Sequence, residues 1–157
     1  MKVWVDADAC PVAIKEVIIK AAVKRKLNTV FVANKPIYLQ TSIYLSAVQV
    51  GQGADVADQY IAEQAEAGDI VITQDIPLAA QLVAKQVVAM SVHGELFTPN
   101  NIGERLSIRD FMQEIRDGGG QTKGPKPFSQ KDKQKFAQTF DQQITKACKN
   151  NKNLTDI

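Results

Sequence analysis

Up to Met90 the chain alternates short apolar runs with segments whose apolar positions recur every three or four residues. Lys2 to Val5 has the β-branched and aromatic bias of a strand, and Pro11 suits the first position of a helix running to about Lys26. Val12, Ile14, Val17, Ile18, Ala21 and Ala22 would line the buried face of that helix. Asn28 to Ala33 and Ala47 to Val50 read as further strands, joined by an irregular stretch containing Pro36, Tyr38 and Tyr44. A turn at Gly51 to Ala54 leads into a helix from Asp55 to Ala67, ended by Gly68. Ile70 to Thr73 is a fourth strand, Ile76 to Lys85 a helix and Val87 to Met90 a fifth strand. Strands that are apolar throughout, separated by helices, imply a mostly parallel five-stranded sheet covered on both faces, a three-layer α/β/α arrangement.

Beyond His93 and Gly94 the pattern changes. Arg105 to Arg116 reads as an amphipathic helix, Gly118 to Phe128 as a glycine- and proline-rich loop, and Gln130 to about Ala147 as a polar helix rich in lysine and glutamine. The expected organisation is an α/β domain over residues 1–117, with 118–157 forming a loop and helical extension packed on it or extending from it.

Composition narrows the classes. The 157 residues, 45% of them hydrophobic, suffice for one well-buried core. Lysine and arginine total 19 against 17 aspartates and glutamates, so any nucleic-acid contact must be local rather than a coating of positive charge. Cys10 and Cys148 cannot build a disulfide framework, and they lack the spacing of a structural zinc site. Asp6 and Asp8 stand where a secretory signal would need its apolar stretch, so a cytoplasmic protein without membrane contact is expected. Nothing in the pattern bears on oligomeric state.

The chemistry lies in the acidic turns. Residues just after parallel strands gather along the carboxyl edge of the sheet, where ligands bind at the topological switch point. Asp6 and Asp8 follow the first strand, Asp55 and Asp58 open the helix after the third, and Asp75 follows the fourth. Clustered carboxylates raise one another's pKa unless a cation neutralises them, and such hard oxygen donors suit Mg²⁺ or Mn²⁺. The competing explanation is helix capping, because Asp8, Asp55 and Asp75 each precede a helical segment. Capping does not account for Asp6, nor for three acidic turns at once.

The run Asp58-Gln59-Tyr60-Ile61-Ala62-Glu63-Gln64-Ala65, followed by Gly68-Asp69-Ile70-Val71-Ile72-Thr73-Gln74-Asp75, resembles the PIN-type nuclease pattern, in which an aspartate opens a helix and the next strand ends in Thr-x-Asp. With Asp6 after the first strand, this resemblance implies a PIN-like fold and puts Asp6, Asp58 and Asp75 at the family's catalytic, metal-binding acids. One departure is plain. PIN nucleases usually bring another acid from a helix between the first two positions, whereas residues 28–52 hold no aspartate or glutamate, so Asp8 or Asp55 would have to substitute. The whole chain, including Asp6-Ala7-Asp8-Ala9-Cys10-Pro11 and Gly124-Pro125-Lys126-Pro127-Phe128, looks more closely like the YaiI/YqxD family of bacterial proteins of unassigned function. The PIN resemblance implies a metal-dependent phosphodiesterase, with RNA favoured over DNA as the partner. Asp8 and Asp55 would serve a second ion or the outer shell.

Supporting residues follow from their chemistry. Arg105, Arg109 and Arg116, at spacings of four and seven, could hold phosphates along the acidic edge, or could form a solvated helix face. Lys123 and Lys126 add charge to the loop of Gly118 to Pro125, whose backbone amides could cradle phosphate, but it lacks the P-loop ending Gly-Lys-Ser/Thr, which favours a plain linker or mobile lid. Thr73 is placed to orient Asp75 or a bound water, and Asn34 ends the second strand. Cys10 precedes a helix but has no partner histidine nearby, which favours a buried thiol over a reactive one, and His93 is read as a loop residue. Two rival readings remain open: a haloacid-dehalogenase-like phosphatase with Asp6 as nucleophile, suggested by Val3-Trp4-Val5-Asp6-Ala7-Asp8, and a non-catalytic nucleic-acid or protein-binding module.

Overall fold

Apolar strands flanked by helices have only one way to keep every backbone group paired and both faces dry, which is to lie side by side inside two helical layers. The computed structural model describes residues 1–53, 55–120 and 128–155. Strand β1 (Lys2–Asp6) leads through a single 3₁₀ turn, Ala7–Ala9, into helix α1 (Val12–Arg25). Then come β2 (Asn28–Ala33), β3 (Leu45–Gln49), α2 (Val56–Gln64), β4 (Ile70–Ile72), α3 (Ile76–Ala84), β5 (Val88–Met90), β6 (Leu96–Phe97), α4 (Ile102–Asp117) and α5 (Gln130–Thr155). Among the described residues the strands form one six-stranded sheet in the order β3-β2-β1-β4-β5-β6, parallel except for β6. The sixth strand departs from the expected five. It is a two-residue return that pairs Leu96 with Met90 and Phe97 with Ala89 after the turn at Gly94, too short to leave any periodicity in the sequence.

Alternation along the strands divides the core. Val3, Val5, Phe31, Ile70, Ile72 and Met90 point to one face, where α1 covers them with Ile14, Ile18 and Ala22. Trp4, Val32, Val71 and Ala89 point to the other, under Ala57 and Ile61 of α2 and Leu78, Ala79 and Leu82 of α3. The third strand and the second helix each sit close to their expected ranges, with the helix ending at Gln64, before Gly68, whose φ of +92° suits glycine alone.

Of the two arrangements open to the C-terminal helix, the described part is packed on the domain rather than extending from it. Phe136, Phe140 and Ile144 are fully buried in the α1 side of the core, at helical spacing within an otherwise hydrophilic sequence. Arg25 ties α1 to this helix by donating to Asp141 at 2.9 Å and to the Thr145 hydroxyl at 3.2 Å. At the other end the Thr139 hydroxyl donates to the Gly94 carbonyl at 2.9 Å. Gly94, at φ +83°, lies so close to α5 that an added Cβ would stand 2.7 Å from the backbone of Lys135 and Phe136. Replacing Gly94 with alanine is therefore expected to lower stability by about 2 kcal/mol or more, through both the left-handed backbone and the clash. A urea unfolding midpoint equal to that of the wild type would contradict this docking.

Candidate functional site

The strand order reverses at β1. The chain runs outward from β1 to β2 and β3, then crosses back so that β4 lies on the other side of β1. The switch point is thus the cleft beyond the carboxyl ends of β1 and β4, and the acidic turns open into it. Asp6, Asp8, Asn34, Gln74, Asp58 and Asp75 line a cavity of about 360 Å³ there, and among its described wall residues there is no lysine or arginine.

Each acid is held differently. Asp6 ends β1 and is buried; its Oδ2 accepts from the Thr73 hydroxyl at 3.2 Å. The Thr73 oxygen in turn accepts the backbone N–H of Asp75 at 3.0 Å, so one buried hydroxyl links the first and third acids. Thr73 thus bonds the backbone of Asp75 and the side chain of Asp6, which only the pairing of β1 with β4 could bring beside it. Asp75 also caps α3, its Oδ1 accepting from Leu78 N at 2.8 Å, so capping accounts for one of its oxygens. Asp55 stands at the N-cap of α2 without a side-chain cap bond, and capping does not explain it. Asp8 lies within the 3₁₀ turn rather than capping α1, and its Oδ2 accepts from the backbone N–H of Asn34 at 2.9 Å.

Repulsion is visible in the titration of the pocket. Burial pushes Asp6 up, the Thr73 hydrogen bond opposes that, and the charges of Asp8 and Asp75 add to it. Asp58 is pushed up to about 7, first by burial, then by the Asp75 carboxyl close enough to share its proton, then by the charges of Asp75, Asp6 and Asp55. Even so, among the described residues no three of histidine, cysteine, aspartate or glutamate stand disposed to hold one ion as they are. The acids share a wall, but their oxygens do not yet converge on a point.

The basic residues divide. Arg109 lines a second cavity of about 380 Å³ with Asp55, Asp58, Asp75 and Gln81. Arg105 does not reach it, because Glu95 on the turn before β6 captures its Nε in an ion pair. Arg116 donates to Gln113 within its own helix. Helical spacing put the three arginines near one face but could not foresee a competing carboxylate from another element. Lys126 and Lys123 lie outside the described residues. Gln74, Gln59 and Gln81 complete the walls of the two cavities and were not anticipated. For Gln81 a signal existed, since it is the lone polar residue in the apolar helix Ile76–Ala84, six positions after Asp75.

Other candidates resolve into structural roles. Burial pushes the Cys10 thiol up to about 12, the opposite of a reactive thiolate. His93 faces Asp132 at 3.3 Å and packs near Phe128. Asp69 is buried at the start of β4, at the amino edge of the sheet, where its carboxylate accepts from Lys2 N, Trp4 Nε1 and Glu66 N at 2.9 to 3.1 Å. It braces strand ends far from Asp6 along the strands, which removes it as a partner acid for a phosphatase centre.

The fold and site together define a three-layer α/β protein with an acidic cavity at the switch point of its sheet. Residues 4–146 match the family model described as "Uncharacterized BCR, YaiI/YqxD family", and the chain belongs to that family. Among the curated relatives, a "UPF0178 protein" of Myxococcus xanthus is 52% identical over 149 residues, 95% of this chain and 97% of its own. One from Syntrophobacter fumaroxidans is 53% identical over the same shares, and one from Desulfotalea psychrophila is 57% identical over 141 residues, 90% of this chain and 95% of its own. No solved structure matches the chain. Among the described residues no helix is long and apolar enough to cross a membrane.

The raised carboxyls fix the sign of a pH effect. A group whose pKa rises on folding stabilises the native state fully below its unfolded value and loses that contribution as pH rises through the folded one. Metal-free protein should therefore lose stability between about pH 4, near the ordinary carboxyl value of 3.8, and about 7, the folded value for Asp58. In Asp58→Asn this slope should flatten and the melting temperature at pH 7.5 should rise. Parallel melting-temperature profiles for the two proteins from pH 4 to 8 would mean that the acids do not repel as described.

Proposed function

We propose that the chain is a divalent-metal-dependent phosphodiesterase acting on nucleic acid, RNA in preference to DNA, with Asp6, Asp58 and Asp75 as the ligands of Mg²⁺ or Mn²⁺. The observation that carries this reading is the gathering of carboxylates from three separate elements on one cavity wall, with two of them driven above their ordinary pKa and no cationic side chain among the described residues of that wall. An ion would have to draw these side chains closer together than they stand. The donor set suits it, because all the oxygens are hard and the repulsion that now favours protonation would be relieved by positive charge.

Such an ion supplies a water of lowered pKa and charge stabilisation at the phosphorus. The protein's own part is orientation. Thr73 holds Asp6 and Asp75 at a fixed separation across β1 and β4. Asp8 and Asp55, exposed beside the wall, suit the outer shell or a second ion, and Arg109 across the neighbouring cavity is placed to pair with a phosphate. A phosphatase using Asp6 as nucleophile is less well supported. That carboxyl is buried and already accepts from Thr73, which leaves little room for in-line attack on a phosphate.

Asparagine substitutions separate charge from architecture, because an asparagine Oδ1 can still accept from Thr73 at position 6 and still cap α3 at position 75. With Mn²⁺, the wild type should cleave RNA, and Asp6→Asn or Asp75→Asn should each lower the rate about a hundredfold or more while leaving the circular-dichroism spectrum unchanged. RNA binding that persists in chelator and survives Asp6→Asn, without cleavage in any protein, would instead favour a non-catalytic binding module.

A further inference from the structure

The acid cavity is the middle of a longer depression. Asp58 and Asp75 line both it and the Arg109 cavity, while Asp8 lines both it and a third cavity of about 480 Å³ between α1 and the segment that links β2 to β3. The three spaces therefore share walls. The third differs from the acidic middle in chemistry: Lys15, Lys35, Pro36 and Tyr38 stand along it with Val12, and Glu16 is the one acid away from the Asp8 junction. Tyr38 is 93% exposed and Val12 69%, so neither is spent on the core. Ile37 and Leu39, on either side of Tyr38, pack against the core, which anchors the segment while leaving the ring outside.

We propose that this flanking groove is a binding track for single-stranded nucleic acid, in which Tyr38 stacks a base and Lys35 and Lys15 meet backbone phosphates. The inference rests on the acid cavity being the cleavage centre, since that is what gives the track a direction: a strand seated on Tyr38 continues past Asp8 across the acids toward Arg109. A ring open to solvent on a tethered segment can receive only a base whose face is uncovered, so the track selects unpaired strands over a duplex. Lys15 and Lys35 on one side of the acidic middle and Arg109 on the other supply cationic groups for the phosphates that flank the acids.

The test is the affinity of the full chain for a fluorescein-labelled single-stranded RNA octamer, read by fluorescence anisotropy in Ca²⁺. The same octamer annealed to its complement is the comparison. Tyr38→Ala and Lys35→Glu are each expected to weaken single-strand binding about tenfold, in the range that stacking and phosphate contacts supply. Lys131→Glu, at an exposed residue of α5 that lines none of the three cavities, carries the same charge change and is expected to leave the affinity within about twofold. The duplex should bind more weakly than the single strand. No measurable binding, equal affinity in wild type and Tyr38→Ala, or a Lys131→Glu loss as large as that of Lys35→Glu would each overturn the track. Hydrolysis of bis(p-nitrophenyl) phosphate by the wild type in Mn²⁺ probes the acid centre alone. If it fails while the binding pattern holds, the cleavage reading falls and the track stands.

Discussion

A single buried hydroxyl holds together groups that would otherwise separate. Thr73 donates to the Asp6 carboxylate and accepts from the Asp75 backbone, and so fixes two acids against their mutual repulsion at the edge of the sheet. This is possible only because β1 and β4 are parallel neighbours, with Val5 opposite Ile72, so that the next residue of each strand faces across the cleft. The arrangement stores electrostatic free energy in the metal-free molecule. Burial first, and the neighbouring carboxylates after it, raise the pKa of Asp6 and Asp58.

Holding such a site open requires a rigid frame around it. The middle strands are sealed on both faces, and the opposite edge is braced by Asp69, whose carboxylate collects three donors from β1 and the turn before β4. Helix α5 supplies the remaining cover. Its three buried side chains complete the α1 face of the core, and its backbone presses against Gly94 at the turn into β6. The C-terminal part of the described chain is thus joined to the same core that positions Asp6, although its side chains lie far from the acids in sequence.

The legible part of this protein was the part carried by local repetition. Apolar runs gave five strands, three-four spacing gave α1, α2, α3 and α4 to within a few residues, and the acidic turns announced themselves because aspartate stood after three strands. What local repetition does not carry has separate physical causes. In α5 the line of Phe136, Phe140 and Ile144, with Ala147 and Cys148 packed beside it, runs amid lysines and glutamines, so an average over the segment reads as polar while its buried line decides its fate. The pairing of Arg105 with Glu95 joins two different elements, which helical spacing does not record. The two-residue β6 is below the length at which any period can be seen.

The sequence by itself determined the layers, the parallel sheet and the identity of the acids, because each is encoded in the spacing of neighbouring residues and needs no knowledge of distant ones. It also sufficed to place the chain in its family. Only the tertiary structure decided which acids face one another, that Thr73 bridges two of them, that Asp69 belongs to the frame rather than the site, and that Arg109 and not Arg105 overlooks the cavity. Those outcomes depend on strand order and register, which bring together residues some 67 positions apart, and no local period records a contact at that range.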